Sequence, residues 1–191
     1  MGKLVILSGP SGSGKSTVVR RLLEQSRLPL HLSVSATTRS PRPGERDGTD
    51  YHFLSRAEFL RRREAGEFLE CKEVFGAGHW YGTLRQEVEA GLARGRSVIL
   101  EIDVQGGLAV LEQCPEAVTV FVDPGSRAEL ERRLRTRGTD AEEAIRRRLN
   151  TADEEFRIGE KKYRHRVVND TVDRAVQEIC EILQAEVGET S

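Results

Sequence analysis

The run Gly9-Pro10-Ser11-Gly12-Ser13-Gly14-Lys15-Ser16, followed by Thr17, satisfies G-x-x-x-x-G-K-[ST]. Glycines without Cβ atoms let successive backbone N–H groups curl inward around an anion, and the positive end of the helix that follows adds to that field. A triphosphate fits such a cradle. The ammonium of Lys15 is expected to reach the β- and γ-phosphates, and the hydroxyl of Ser16 to ligate Mg2+. A second constellation is Val98-Ile99-Leu100-Glu101-Ile102-Asp103. Its two carboxylates share one strand face at the carboxyl end, where α/β proteins bind ligands. Asp103 can steer Mg2+ through water, and Glu101 can hold a sugar or a base. The cradle alone suits an NTPase, a switch GTPase or a small-molecule kinase. A GTPase needs a guanine-reading N/T-K-x-D motif late in the chain, and the sequence has none.

These groups must be held by a framework. Five short apolar runs, Leu4 to Leu7, Leu30 to Val34, Val98 to Ile102, Val118 to Val122 and Val167 to Val168, alternate with helical patterns. That is the rhythm of a parallel sheet covered by helices. Val18 to Leu23 continues from the glycine loop as a helix, and a last helix runs from about Thr171 to Val187. Ser55 with Glu58, Thr83 with Gln86, Ser126 with Glu129 and Thr139 with Glu142 each form a capping-box pattern. From about Thr38 to Arg96 the chain is rich in Gly and charge and holds seven of its ten aromatics, so an inserted lobe with its own small core is expected. Arg137-Gly138-Thr139, between two arginine-rich helices, suggests a mobile flap.

At 191 residues the chain suits one domain, and its 37% hydrophobic and 32% charged residues place it among soluble globular proteins. A net charge of −1 excludes a global drive toward nucleic acid. No apolar run approaches the roughly 20 residues of a membrane span, and none forms a secretory signal core, so a cytoplasmic location is expected. The cations are 25 Arg and 5 Lys, a bias that suits forked phosphate contacts. Cys71, Cys114 and Cys180 are odd in number and lack C-x-x-C spacing, which argues against disulfides and structural zinc. Cys180 falls on an apolar helical stripe and reads as core.

The stretch from Ser33 to Phe53, with Thr37-Thr38-Arg39, Arg42, Gly44-Glu45 and Asp50-Tyr51-His52-Phe53, resembles the guanylate kinase signature. With the glycine loop, Glu70, Tyr81-Gly82-Thr83, Glu101 to Gly106, the Arg137-Gly138-Thr139 flap and Val168-Asn169-Asp170, the resemblance covers nearly the whole chain in order. It implies an α/β P-loop nucleoside monophosphate kinase: a five-stranded parallel core at 1–37 and 96–191, a GMP-binding lobe at 38–95 and a lid at about 135–150. The implied reaction is ATP + GMP to ADP + GDP, Mg-dependent, in purine nucleotide metabolism.

The resemblance places Arg39, Arg42, Tyr51 and Tyr81 on the GMP phosphate, and the dianion makes chemical sense of them. Glu70 and Ser35 match a guanine reader, since guanine offers donors at N1 and the 2-amino group and an acceptor at O6. Adenine would leave those groups badly paired. Thr83 is a weaker base contact; Glu101 and Asp103 complete the GMP set. Arg133, Arg137 and Arg148 are placed around the transferred phosphoryl group, alongside Lys15 and Arg39, and Asn169 beside the ATP base. Arg132, Arg135, Arg146 and Arg147 are left to surface ion pairs. Two rivals remain: a guanylate-kinase-like module that binds a protein instead of catalysing, and a kinase of phosphorylated sugars. Acceptance of dGMP and a homo-oligomeric state are left open.

Overall fold

The computed structural model describes residues 2–74, 78–136, 138 and 141–188. The expectations for Arg137 and Thr139 lie outside the described residues. In chain order the elements are β1 (Leu4–Ser8), α1 (Lys15–Gln25), β2 (Leu30–Leu32), β3 (Ala36–Thr37), β4 (His52–Phe53), α2 (Arg56–Glu64), β5 (Phe68–Val74) and β6 (His79–Leu84). There follow α3 (Arg85–Ala93), β7 (Ser97–Glu101), α4 (Val104–Gln113), β8 (Val118–Asp123), α5 (Arg127–Thr136), α6 (Glu142–Lys162), β9 (His165–Val168) and α7 (Val172–Gly188).

All five expected core strands form, in the parallel order β2-β7-β1-β8-β9. β1 lies at the centre with every residue buried, as a strand covered on both faces must be. Its side chains alternate between the layers. Val5 and Leu7 pack with Val18 and Leu22 of α1 and Ile179 and Leu183 of α7, with Cys180 at the margin. Leu4 and Ile6 pack with Val104, Val110, Phe121 and Tyr163 on the other side. This sandwich fixes the carboxyl ends of β1 and β7, from which the glycine loop and Glu101 emerge.

The second sheet, in the order β4-β3-β6-β5, begins at Ala36, just ahead of the expected lobe boundary. Its core is small: Ala36, Phe59, Phe68 and Leu84 are buried, with the Phe59 and Phe68 rings stacked at 4.4 Å. Helices α5 and α6 share a separate core of Leu130, Leu134, Ile145, Leu149 and Ala152, which makes them one arm.

Two capping expectations hold and one fails. The Glu58 and Glu129 backbone N–H groups donate to Ser55 and Ser126 Oγ, each at 3.1 Å. Thr83 is not a cap: Leu84 precedes α3, and Thr83 lies in β6 facing Glu70. The sheet ladder reaches one residue further than the box pattern indicates, and the hydroxyl finds a carboxylate instead. Among the described residues, all three cysteines are free and no helix is long and apolar enough to cross a membrane.

Candidate active site

The glycine loop connects β1 to α1 and encloses a cavity of about 180 Å3 lined by Ser11, Gly12, Gly14, Lys15, Ser16 and Thr17. Its backbone conformation depends on glycine at two close approaches. At Gly9 (φ 154°) a Cβ would come within 2.3 Å of the Val122 carbonyl oxygen. At Gly14, left-handed with φ 92°, it would come within 2.4 Å of Asn169 Nδ2. The Lys15 ammonium folds over the loop and donates to the carbonyls of Gly9 (2.6 Å) and Pro10 (3.3 Å). Ser16 Oγ donates to Glu101 Oε1 at 2.5 Å.

The outer wall of the loop is pinned from three other places in the chain. Asn169, after β9, is buried, and its amide donates to the Ser13 carbonyl at 2.8 Å. Arg133 of α5 donates to that same carbonyl (3.0 Å) and to the Asn169 carbonyl (2.7 Å). Arg148 of α6 donates to Ser11 Oγ at 3.1 Å. The α5–α6 arm therefore touches the loop through both arginines. Arg132, Arg135, Arg146 and Arg147 pair instead with Glu129, Glu131, Glu142 and Glu143, as surface arginines at helical spacing do.

A second cavity of about 230 Å3 opens between the two sheets, lined by Ser35, Tyr51, Glu70, Tyr81, Glu101 and Asp103 among others. At one end Thr83 Oγ1 donates to Glu70 Oε1 at 2.8 Å. Burial pushes the Glu70 carboxyl above the ordinary carboxylate range, against the pull of that hydroxyl. At the other end Arg39 Nε donates to Tyr81 Oη at 3.2 Å, and its guanidinium lies 5.4 Å from the centroid of the Tyr51 ring. The remaining face of Arg39 is held by Glu45 through two 2.9 Å hydrogen bonds. Those bonds, with one from the Arg42 backbone N–H, hold the Glu45 carboxyl below its usual range. Burial raises the Tyr51 phenol, keeping it a neutral donor. The Arg42 side chain is exposed and stands apart from this cluster.

The two carboxylates after β7 divide differently from expectation. Glu101, assigned to a sugar or base, is the group that meets Ser16. Asp103, assigned to the metal, accepts from the Gly106 backbone at 2.9 Å to cap α4 and pairs with the ammonium of Lys72. Asn169 turns its amide N–H toward the loop. Sequence reasoning missed Glu45, Lys72 and Glu155. Lys72 stands two residues from Glu70 on β5, a period-two signal that places both on one face. Glu155 falls on the buried stripe Ile145, Leu149, Ala152 and Gly159 of α6. Burial pushes it to about 7, with the Lys15 ammonium pulling the other way.

The chain as a whole is similar to known proteins. The model of a family described as guanylate kinase matches residues 1–186. The chain is 57% identical to a guanylate kinase of Rhodopirellula baltica, over 95% of this chain and 87% of that protein. It is 47% identical to one of Caldanaerobacter subterraneus, over 97% and 88%. The crystal structure of guanylate kinase from Anaplasma phagocytophilum matches with a TM-score of 0.76 and 37% identity, covering 97% of this chain and 86% of that one. A glycine loop, an inserted sheet and a carboxylate strand between them, matched in sequence over almost the full length, leave one conclusion: this chain belongs to the guanylate kinase family.

Proposed function

We propose that this chain catalyses ATP + GMP to ADP + GDP, with ATP in the glycine loop and GMP in the inter-sheet cavity. The observation that carries this reading is Glu101: it lines the acceptor cavity and accepts from Ser16 of the donor loop, so the two anion sites meet at one side chain. A γ-phosphate held by Lys15 and Ser16 then faces an acceptor phosphate held by Arg39, Tyr51 and Tyr81. Transfer is direct and in line, and it needs no general base because the acceptor oxygen is already deprotonated near neutral pH.

Each residue contributes position or charge. Lys15 exchanges its two loop carbonyls for the β- and γ-phosphate oxygens. Glu70 and Thr83 form one hydrogen-bonded pair that accepts from guanine N1 and the 2-amino group, with Ser35 completing the base site. Arg39 exchanges Glu45 for the GMP phosphate, and Arg42 swings in from solvent. Arg133 and Arg148 approach the transferred group as the α5–α6 arm closes on the loop, joined by Arg137. The moving parts are the lobe at 38–95 and the lid at about 135–150, against the core at 1–37 and 96–191.

The hydroxyl of Ser16 and the carboxylate of Glu101, hard oxygen donors in contact at the cradle's mouth, fit Mg2+, which takes few protein ligands and keeps phosphate oxygens and waters. When bound, Mg2+ neutralises charge on the β- and γ-phosphates. Asp103, engaged by Gly106 and Lys72, lies a step further from that position. This is a reading for a cytoplasmic enzyme of small molecules, without nucleic acid as substrate.

A coupled assay of ADP formation with GMP, AMP, CMP and no acceptor tests the proposal. GMP is expected to be the preferred acceptor by at least tenfold. Equal rates in all four would overturn it.

A further inference from the structure

One charged group in the acceptor cavity has no part in the mechanism above. Lys72 projects from β5 beside Glu70 and opposite Tyr81 in the β5–β6 register. Its ammonium pairs with Asp103 at the head of α4, so the contact runs from the lobe to the core across the cavity. The cavity lining contains three carboxylates, Glu70, Glu101 and Asp103, against one cation, Lys72; Arg39 stands behind Tyr81 with its charge taken up by Glu45. A dianionic nucleotide entering three like charges would be repelled. Asp103 without Lys72 would also lose the group that sets its second oxygen, since the first is fixed by the Gly106 N–H.

We infer that Lys72 is a positioning and affinity-determining residue for the acceptor nucleotide: it ties the lobe to Asp103 and offsets the negative charge of the cavity. The inference rests on the reading of this cavity as the GMP site. The pair is half-exposed, with side-chain exposures of 46% and 37%, so its effect is modest and falls with salt.

The test compares steady-state kinetics of the unmodified protein, Lys72→Met, Lys72→Arg, Asp103→Asn and the double variant Lys72→Met/Asp103→Asn. Lys72→Met is expected to raise KM for GMP about three- to fivefold, leave KM for ATP within about twofold and lose that difference as salt rises toward about 1 M. Lys72→Arg restores the low KM, and in the Asp103→Asn background Lys72→Met adds less than it does alone. A salt-independent effect, an equal rise in both Michaelis constants, or independent effects of the two substitutions overturns the strap. An unchanged KM for GMP in Lys72→Met, with the unmodified protein active, overturns it alone. An unmodified protein that does not phosphorylate GMP overturns the functional reading and the strap with it.

Discussion

The two anion sites are built from different materials. The donor cradle is main chain: its shape comes from glycine dihedrals, and Asn169 and Arg133 brace it by bonding the Ser13 carbonyl. The acceptor cavity is side chains drawn from β5 and β6, the segments just before β3 and β4, and the strand end of β7. Several of its charged groups are already paired: Arg39 with Glu45 and Tyr81, Glu70 with Thr83, Lys72 with Asp103. The first site is preformed and local. The second is assembled over long separations and must exchange partners when its ligand arrives. Preorganised backbone suits the common triphosphate part of a donor, whereas exchangeable side chains suit discrimination among bases.

That contrast can be broken at the donor side first. Lys15→Met removes the ammonium that the loop itself carries while the backbone nest stays intact. Turnover is expected to fall by about a hundred- to a thousandfold with an unchanged thermal midpoint. A variant that retains near-full activity would show that the nest alone suffices. Next comes the small core of the lobe. Phe59→Ala opens a void beneath the stacked Phe68, and a loss of about 3–5 kcal/mol is expected. Because the donor cradle does not use that core, ATP-analogue binding, followed by calorimetry at low temperature, should outlast GMP binding. Simultaneous loss of both would show that lobe and core are one cooperative unit.

The subtlest change sharpens the acceptor side alone. Glu70→Gln should lower kcat/KM for GMP about tenfold and leave KM for ATP unchanged. Burial raises the Glu70 carboxyl, so free protein takes up its proton at a higher pH than an ordinary carboxylate. On the proposed function GMP needs the ionised form, so KM for GMP should rise as pH falls toward that raised value. The amide variant, which does not titrate, should flatten this acid limb. A limb that persists in Glu70→Gln would assign it to another group.

The same division decides what could be read from sequence. The cradle is a contiguous motif between a strand and a helix, so its residues, its place at a strand end and the parallel sheet around it follow from local pattern. Glu70 and Arg39 were legible through the resemblance, but their partners were not. Glu45 and Lys72 act through neighbours that only the folded chain supplies. Thr83 misled because a hydroxyl three residues before Gln86 satisfies the capping pattern, and one further residue of β6 ladder was enough to turn it toward Glu70. Asp103 and Glu101 were expected on one strand face, but β7 ends at Glu101 and Asp103 caps α4, and spacing alone does not say which reaches Ser16. Glu155 carried a sequence signal, a charge inside an apolar helical stripe, that was passed over.

The tethered carboxylate on Arg39 has a consequence for the crowded solution in which such a chain works. A bare inorganic anion such as free phosphate or sulfate can claim the guanidinium only by evicting a two-point internal competitor, and it brings no purine to lean on the far wall. A nucleotide engages both ends at once. On the proposed function, the Glu45 carboxylate therefore sets a threshold at Arg39 that a ligand anchored at both ends of the pocket crosses more readily than a bare ion.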